Sequence, residues 1–492
     1  MAKKKFYITT PIYYVNDRVH LGHAYTTIAA DVLARYHRLK GDKVFFLTGT
    51  DEHGAKIEEA AKGLNKSPRQ LCDENSQRFK NGWQRLNISY DNFIRTTDVN
   101  HKKAIAKALK VLHEKGLIYK GVYKGLYCLG CEQYKTKADL VDGKCPDHKI
   151  KPEVMEEESY LFKLSKFGKE IENRIKRDEF KIRPEERKPE ILEFLKKGLK
   201  DISISRKKVK WGIPLPFEPE LTAYVWVDAL LNYLTGLGWQ GDPRKIPEFW
   251  SAEVHLMAKD IFRVHATIWP ALLLGLGISL PKKLFIHGYF TINRQKMSKS
   301  LGNVIWPEEL IEKFGVDATR YLLLASFPFG RDGDISWKKL EEKYEADLAK
   351  GLGNLVARLL SLADKSEIKS EVLKIEEVKN TDFQKKIDEV QEKYKKALEE
   401  FKLNEALASI WELISFCDEY IEKNKLWEEN ESQKTSILYL LHTIANIANL
   451  LKPFLPETSE KILKQLGLEI TEQKWIFNIK KSESLFPRMN PE

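Results

Sequence analysis

The chain has 492 residues, 42% hydrophobic and 31% charged, with 27 glycines and 19 prolines, a composition that excludes collagen-like, low-complexity and disordered chains. At roughly 100–200 residues per domain the length predicts about three domains. Its 82 lysines and arginines against 71 aspartates and glutamates leave a formal net charge of +11, which favours a polyanionic partner such as RNA without identifying one.

In chain order, residues 5–10 alternate as a strand, residues 24–40 carry apolar side chains at helical spacing until Gly41, and residues 44–47 form a short buried-strand run. A strand, a helix and a strand in that order predict a right-handed βαβ unit, hence a parallel sheet with ligands at its carboxyl ends. The basic opening is broken by Pro11, Asn16 and Asp17, so it reads as a first strand rather than a secretory leader. From Gly116 the sequence looks inserted, with Lys, Gly, Tyr and Cys frequent. Periodic helix returns over 171–200, residues 223–227 look like a strand, and 284–292 like another. After Gly315 the pattern turns helical almost to the end, with Leu348, Leu352, Leu355, Leu359 and Leu362 spaced for a bundle. The longest apolar stretch, 268–280, contains Pro270 and falls short of the ~20 residues that cross a bilayer.

The expected fold is therefore α/β, a Rossmann-like parallel sheet split by an insertion and followed by an all-α bundle. The expected boundaries are 1–115 for the first half of the sheet domain, 116–222 for the insertion and 223–300 for the second half. A linking segment spans 301–350 and the helical domain 351–492.

Three clusters carry chemistry. His20-Leu21-Gly22-His23 opens the first helix, where two imidazoles three apart share a side, N–H groups attract anions, and Gly22 lets a ligand approach the backbone. Alone, such a tetrapeptide is more often a plain capping or packing pair, by about two to one. Lys296-Met297-Ser298-Lys299-Ser300 places two cations on a loop suited to a polyphosphate, although an isolated K-x-x-K is usually just solvated. Cys128-Leu129-Gly130-Cys131 and Cys145-Pro146-Asp147-His148 form a C-x₂-C and C-x₂-H pair. That spacing suits a closed tetrahedral zinc site, structural rather than catalytic. With only five cysteines a disulfide scaffold is not expected, and a reducing, cytoplasmic compartment is.

The histidine and lysine motifs resemble the two signatures of class I aminoacyl-tRNA synthetases, the first with Leu21 in place of the usual isoleucine. Within that class, Thr10-Pro11-Ile12-Tyr13-Tyr14-Val15-Asn16, Gly49-Thr50-Asp51-Glu52-His53-Gly54, Tyr224-Val225-Trp226-Val227-Asp228-Ala229 and His287-Gly288-Tyr289 are similar to segments of methionyl-tRNA synthetases. The resemblance spans the whole chain. It implies that Ile12, Tyr14, Trp226, Ala229, Tyr233 and His287 line a methionine pocket and that Asp51 holds the ammonium group. It also implies that His20, Gly22 and His23 bind ATP with Lys259, Asp260, Lys296 and Lys299, His20 and His23 acting at the α-phosphate and the two signature lysines at the β- and γ-phosphates.

By the same resemblance Asn354, Arg358 and Trp427, the last on a second helix, would read the anticodon of tRNA(Met). Mg²⁺ would accompany ATP, and zinc would sit on Cys128, Cys131, Cys145 and His148, the histidine being replaced by cysteine in some relatives. An insertion of about one hundred residues, near the small end for a domain, leaves no room for the editing domain of the isoleucyl, valyl and leucyl relatives. The absence of an appended C-terminal module points to a monomer. The competing readings are a non-catalytic RNA-binding paralogue and another class I synthetase.

Overall fold

A computed structural model describes residues 3–129, 133–135, 140–146, 149–292, 295–296, 304–368, 370–379, 381–428, 433–471, 474–480 and 483–489. The chain divides into two compact units, Met1–His287 and Gly288–Glu492.

The first unit opens with β1 (Lys5–Tyr14), α1 (Leu21–Leu39) and β2 (Lys43–Asp51), the expected βαβ order. β1 runs past the predicted residue 10. Its register against β2 shifts between Thr9 and Ile12, where Pro11, lacking an N–H, fits an irregularity better than a regular ladder. α1 starts at Leu21 rather than at 24, because the His20 ring caps it and Leu21 is already buried. Then follow α2 (Ala55–Gly63), α3 (Pro68–Arg85), β3 (Asn92–Arg95) and α4 (Val99–Glu114).

The span expected as an insertion contains the long antiparallel ribbon of β4 (Ile118–Cys128) with β6 (Glu153–Phe162), flanked by β5 (Gln133–Lys135). The helix expected over 171–200 is divided. α5 (Gly168–Lys176) and α6 (Lys188–Lys196) are separated by β7 (Lys181–Arg183), which pairs parallel with a later strand of the main sheet. Short strands β8 (Ile202–Ser203), β9 (Ser205–Arg206), β10 (Pro214–Leu215) and β11 (Glu218–Ala223) lead to α7 (Val225–Leu230) and α8 (Asn232–Thr235). The predicted strand 223–227 is thus mostly helix. Both a buried strand and a helix buried on all sides read as an apolar run, and here the extended chain ends at Tyr224.

The unit ends with β12 (Val254–Ala258), α9 (Phe262–Leu276) and β13 (Lys283–His287). The six-stranded sheet has the order β3-β2-β1-β12-β13-β7, with every neighbour parallel. Its strand order reverses between β1 and β12, the place where open α/β sheets bind ligands.

The second unit begins with β14 (Phe290–Ile292), β15 (Gln295–Lys296), α10 (Pro307–Phe314), α11 (Val316–Ala325), β16 (Gly333–Ile335) and α12 (Trp337–Lys343). The predicted strand 284–292 is therefore two strands in two sheets. A Cβ built at Gly288 would lie 2.0 Å from the Arg331 carbonyl oxygen, so the chain passes there against another backbone segment.

A π-helical stretch, Tyr344–Gly353, leads into α13 (Asn354–Lys365), and Leu348, Leu352, Leu355, Leu359 and Leu362 are all buried as predicted. Next come β17 (Glu371–Lys374), α14 (Ile375–Val378), α15 (Asp382–Glu399), α16 (Leu403–Lys423), α17 (Gln433–Leu451), α18 (Pro456–Leu466), β18 (Glu469–Ile470) and β19 (Lys474–Phe477). The tail is not wholly helical, since β17, β19 and β18 form a small antiparallel sheet. The fully buried Arg320 guanidinium of α11 donates to the carbonyls of Phe454 (2.8 Å) and Pro453 (3.0 Å), and Asp317 accepts the Thr458 N–H at 2.6 Å. Among the described residues no helix is long and apolar enough to cross a membrane.

Candidate active site

The histidine motif sits at the N-terminus of α1. His20 Nδ1 accepts the backbone N–H groups of Gly22 (3.1 Å) and His23 (3.4 Å), while His23 Nδ1 accepts the His20 N–H at 3.4 Å. A backbone N–H only donates, so both Nδ1 atoms are unprotonated and each neutral ring carries its proton on Nε2. The rings stack at 3.4 Å between centroids. Protein packed around its ring lowers His20 to about 4 although the residue as a whole is exposed, and the half-buried His23 is lowered by desolvation and by the neighbouring His20. Two neutral Nε2–H donors are thus assembled at a helix N-terminus whose own Gly22 and His23 N–H groups are taken by the capping ring. A Cβ at Gly22 would approach His20 Cε1 to 3.0 Å, so the glycine also leaves room for the capping ring.

Tyr13, which the sequence reading did not single out, lies against His23 (4.5 Å between rings) and hydrogen-bonds Thr27 Oγ1 at 2.9 Å. Its neighbours Ile12 and Tyr14 stand opposite Gly49 and Asp51 at the carboxyl ends of β1 and β2. Asp51 is 4% exposed. The adjoining Glu52, fully buried, is clamped by the Arg95 guanidinium at 2.7 and 3.0 Å and by the Thr50 and Thr97 hydroxyls. That fork fixes the backbone on which Asp51 is carried. Gly49 is required by close approach, because a Cβ there would fall 2.0 Å from the Ile94 carbonyl oxygen. Gly54, at φ 108°, turns the chain into α2.

Trp226 and Ala229 on α7 and Tyr233 on α8 are buried, and both Trp226 and Tyr233 face His265 of α9. His265 accepts the Tyr233 hydroxyl at Nε2 (2.8 Å), its Nδ1–H facing the Ile261 carbonyl at 3.0 Å. Burial lowers His265 to about 4, leaving it the neutral acceptor this arrangement needs. Burial also raises the Tyr233 hydroxyl, helped by the nearby Tyr13 and Asp51. The Tyr7 hydroxyl of β1 donates to the Tyr233 carbonyl at 2.7 Å, tying α8 to the first strand. His287, at the end of β13, shares a 2.7 Å hydrogen bond between Nε2 and Thr26 Oγ1 on α1. Lys259 and Asp260 form the turn directly after β12, at the carboxyl end of the sheet. His265 was invisible in the sequence because nothing in its helix distinguishes it from a packing histidine.

Two groups of expected residues are only partly described. Cys128 and Cys145 are both fully buried and in no disulfide, but Cys131 and His148 lie outside the described residues. The Cys145 N–H donates to the Ile150 carbonyl and the Lys149 N–H to the Cys145 carbonyl, each at 2.8 Å. Among the described residues no group of three or more His, Cys, Asp or Glu could hold a metal. Lys296 falls in the short strand β15, and Lys299 lies outside the described residues.

In the second unit Arg358 sits one turn after the exposed Asn354 on α13. Its guanidinium lies 5.5 Å over the Trp427 ring and pairs with Glu422 at 2.7 Å. Trp427 is 47% exposed and occupies the turn after α16 rather than a second helix. Arg358 and Trp427, 69 positions apart in the chain by their numbers, are nonetheless brought together.

Residues 6–151 and 138–360 match the family described as tRNA synthetases class I (M), and residues 380–488 match the anticodon-binding domain of tRNA ligase. The chain is 41% identical to the methionine–tRNA ligase of Caldanaerobacter subterraneus subsp. tengcongensis, over 100% of its own length and 80% of that protein's. It is 40% identical to that of Thermotoga maritima, over 94% and 76%. Among solved structures, Mycobacterium tuberculosis methionyl-tRNA synthetase in complex with methionyl-adenylate superposes with a TM-score of 0.92 at 35% identity, covering 99% of this chain and 100% of that one. Full-length identity and the order of both matched regions lead to one conclusion: this chain belongs to the methionyl-tRNA synthetase family of class I tRNA synthetases.

Proposed function

We propose that the chain activates L-methionine with ATP and passes the methionyl group to the 3′-terminal ribose of tRNA(Met). A methionine carboxylate oxygen attacks the α-phosphorus, the bond to the β-phosphate oxygen breaks, and pyrophosphate leaves with the electron pair. A terminal ribose hydroxyl then attacks the adenylate carbonyl and AMP leaves. No covalent enzyme intermediate is needed, so the protein aligns reactants and stabilises charge.

The observation that carries this reading is the pair of Nε2–H donors forced on His20 and His23 by their own helix cap, at the strand-order reversal of the sheet. They suit the charge that develops at the α-phosphate. Asp51 suits the substrate ammonium group. Ile12, Tyr14, Trp226, Ala229, Tyr233 and His287 suit a thioether, whose sulfur favours aromatic edges. Lys259 and Asp260 suit ATP by position, and Lys296 and Lys299 are assigned to its β- and γ-phosphates by their motif. Mg²⁺, when bound with ATP, supplies further charge neutralisation.

Cys128, Cys131, Cys145 and His148 are the proposed zinc ligands, a closed shell that stabilises the 116–222 segment without joining the reaction. Asn354, Arg358 and Trp427 are the proposed anticodon readers of the 351–492 domain. The exposed Trp427 face over an arginine is the kind of platform on which an unpaired base stacks.

Methionine-dependent ATP–pyrophosphate exchange tests the reading, run on the wild-type chain and on Lys299→Ala. Exchange in the wild type that collapses in the variant supports it. No exchange identifies a binding paralogue, and exchange driven better by another amino acid identifies another synthetase.

A further inference from the structure

Asp228 lies between Trp226 and Ala229 on α7 and is 1% exposed. Its two carboxylate oxygens are each taken by an imidazole: Oδ2 by His53 Nδ1 and Oδ1 by His101 Nε2, both at 2.7 Å. The other His101 nitrogen meets Thr235 Oγ1 at 2.7 Å. These four residues come from four segments. His53 stands two residues beyond Asp51, Asp228 is inside the Trp226–Ala229 turn, Thr235 is two residues beyond Tyr233, and His101 is on α4. The side of the cluster nearest α2 is closed by Trp211, whose ring meets His53 edge-on at 5.7 Å and whose indole N–H donates to the Glu52 carbonyl.

We infer that Asp228, held by His53 and His101, is a positioning residue that sets the spacing between Asp51, Trp226 and Tyr233 and thereby the methionine selectivity of the pocket. This rests on the proposed assignment of those three residues to methionine. Both carboxylate oxygens and both His101 nitrogens are engaged by protein groups, so Asp228 acts through the neighbours it holds. A buried carboxylate shared by two imidazoles is directional, because each oxygen has one donor at a fixed distance. A shift of either histidine would be transmitted to a pocket wall within two residues. Burial alone would raise the Asp228 carboxyl, yet the two imidazoles bring it down to about 2, so the bridge stays ionised at neutral pH. An apolar core could join the same four segments, but would not fix them in register as a carboxylate accepting from two imidazoles does.

The test is pyrophosphate exchange on enzyme counted by active-site titration, with methionine and norleucine as alternative substrates. Asp228→Asn should raise KM for methionine by about tenfold or more, leave KM for ATP within about twofold, and narrow the methionine-over-norleucine preference. His53→Asn and His101→Gln, which keep an N–H donor at the δ and ε positions respectively, should stay within about threefold of wild type, whereas His53→Ala should follow Asp228→Asn. If Asp228→Asn does not fold, the His53→Asn and His53→Ala pair gives the same comparison with the carboxylate intact. A wild-type methionine KM in titrated Asp228→Asn or His53→Ala, or an equal rise for both substrates, overturns the inference. Absence of methionine-dependent exchange in the wild type instead overturns the assignment on which it rests.

Discussion

The histidine-rich region around β1 and α1 of the first unit and the arginine–tryptophan pair of the second are built in opposite ways. Asp51, Tyr233 and His265 are buried, the Tyr233 hydroxyl donates to His265, and the protonation of His20 and His23 is dictated by backbone N–H groups. Arg358 and Trp427 instead stand at the surface, joined by a ring contact and an ion pair to the 61%-exposed Glu422. Under the assignments proposed above, a small substrate with one shape meets a site fixed in advance, and bases on a flexible loop meet side chains at the surface. The difference predicts that damage to the first region costs catalysis and damage to the second costs only RNA recognition.

The largest expected effect separates capping from chemistry at His20. In His20→Asn the amide oxygen replaces Nδ1 as helix cap but the Nε2–H is lost, so exchange should fall about 10²–10³-fold while thermal stability holds. His20→Ala should lose the same activity and about 1 kcal/mol of stability as well. Wild-type exchange in His20→Asn would mean the motif is a cap and nothing more. In the second region, Trp427→Ala should lower tRNA charging by the equivalent of about 1–3 kcal/mol, the worth of one base stacked on an aromatic ring, without altering exchange. Equal loss of both activities would erase the contrast between the regions.

Acid should also discriminate. His265 is lowered from 6.5 to about 4 in the folded protein, so the unfolded chain binds the extra proton first. Its contribution is intact above pH 6.5 and is lost as pH falls toward 4, by about 3 kcal/mol. His255, fully buried and lowered by desolvation, acts in the same direction. Asp228 has the reverse charge but the same sign, since its stabilisation is present above about pH 4 and lost toward pH 2. Burial lowers His442, the one histidine of α15–α17 among the described residues, to about 4 as well, so hydrogen exchange between pH 7 and 4 should show both regions opening, the β1–β12 core more steeply because it carries both His255 and His265. Unchanged protection in both would contradict the assignment of neutral buried histidines. The smallest effect is expected at Glu422→Gln, where removing a largely exposed pair should change stability by less than about 1 kcal/mol, measured by thermal melting.

Much of this was legible in the chain. The βαβ opening, the bundle leucines and the two signature motifs are local patterns, and the structure places His20 and His23 as the tetrapeptide suggested. What escaped depended on distant partners. Residues 223–227 look like a strand because a helix buried on every side leaves no polar stripe, and the division of 284–292 came from the backbone that crowds Gly288. β7 is three residues long and is a strand only because β13 lies beside it. His53, His101 and Asp228 are far apart in sequence, and no spacing rule joins a loop histidine, a helical histidine and an aspartate. His265 carries no motif at all.

The position of β7 also constrains how the polypeptide is made. Synthesis delivers this edge strand roughly one hundred residues before β13, its one neighbour among the described strands, so until then it has no described strand to zip onto. The outer border of the sheet closes late, after the intervening ribbon and helices have left the ribosome, and a truncation anywhere before residue 287 leaves that border open to pairing with another nascent chain.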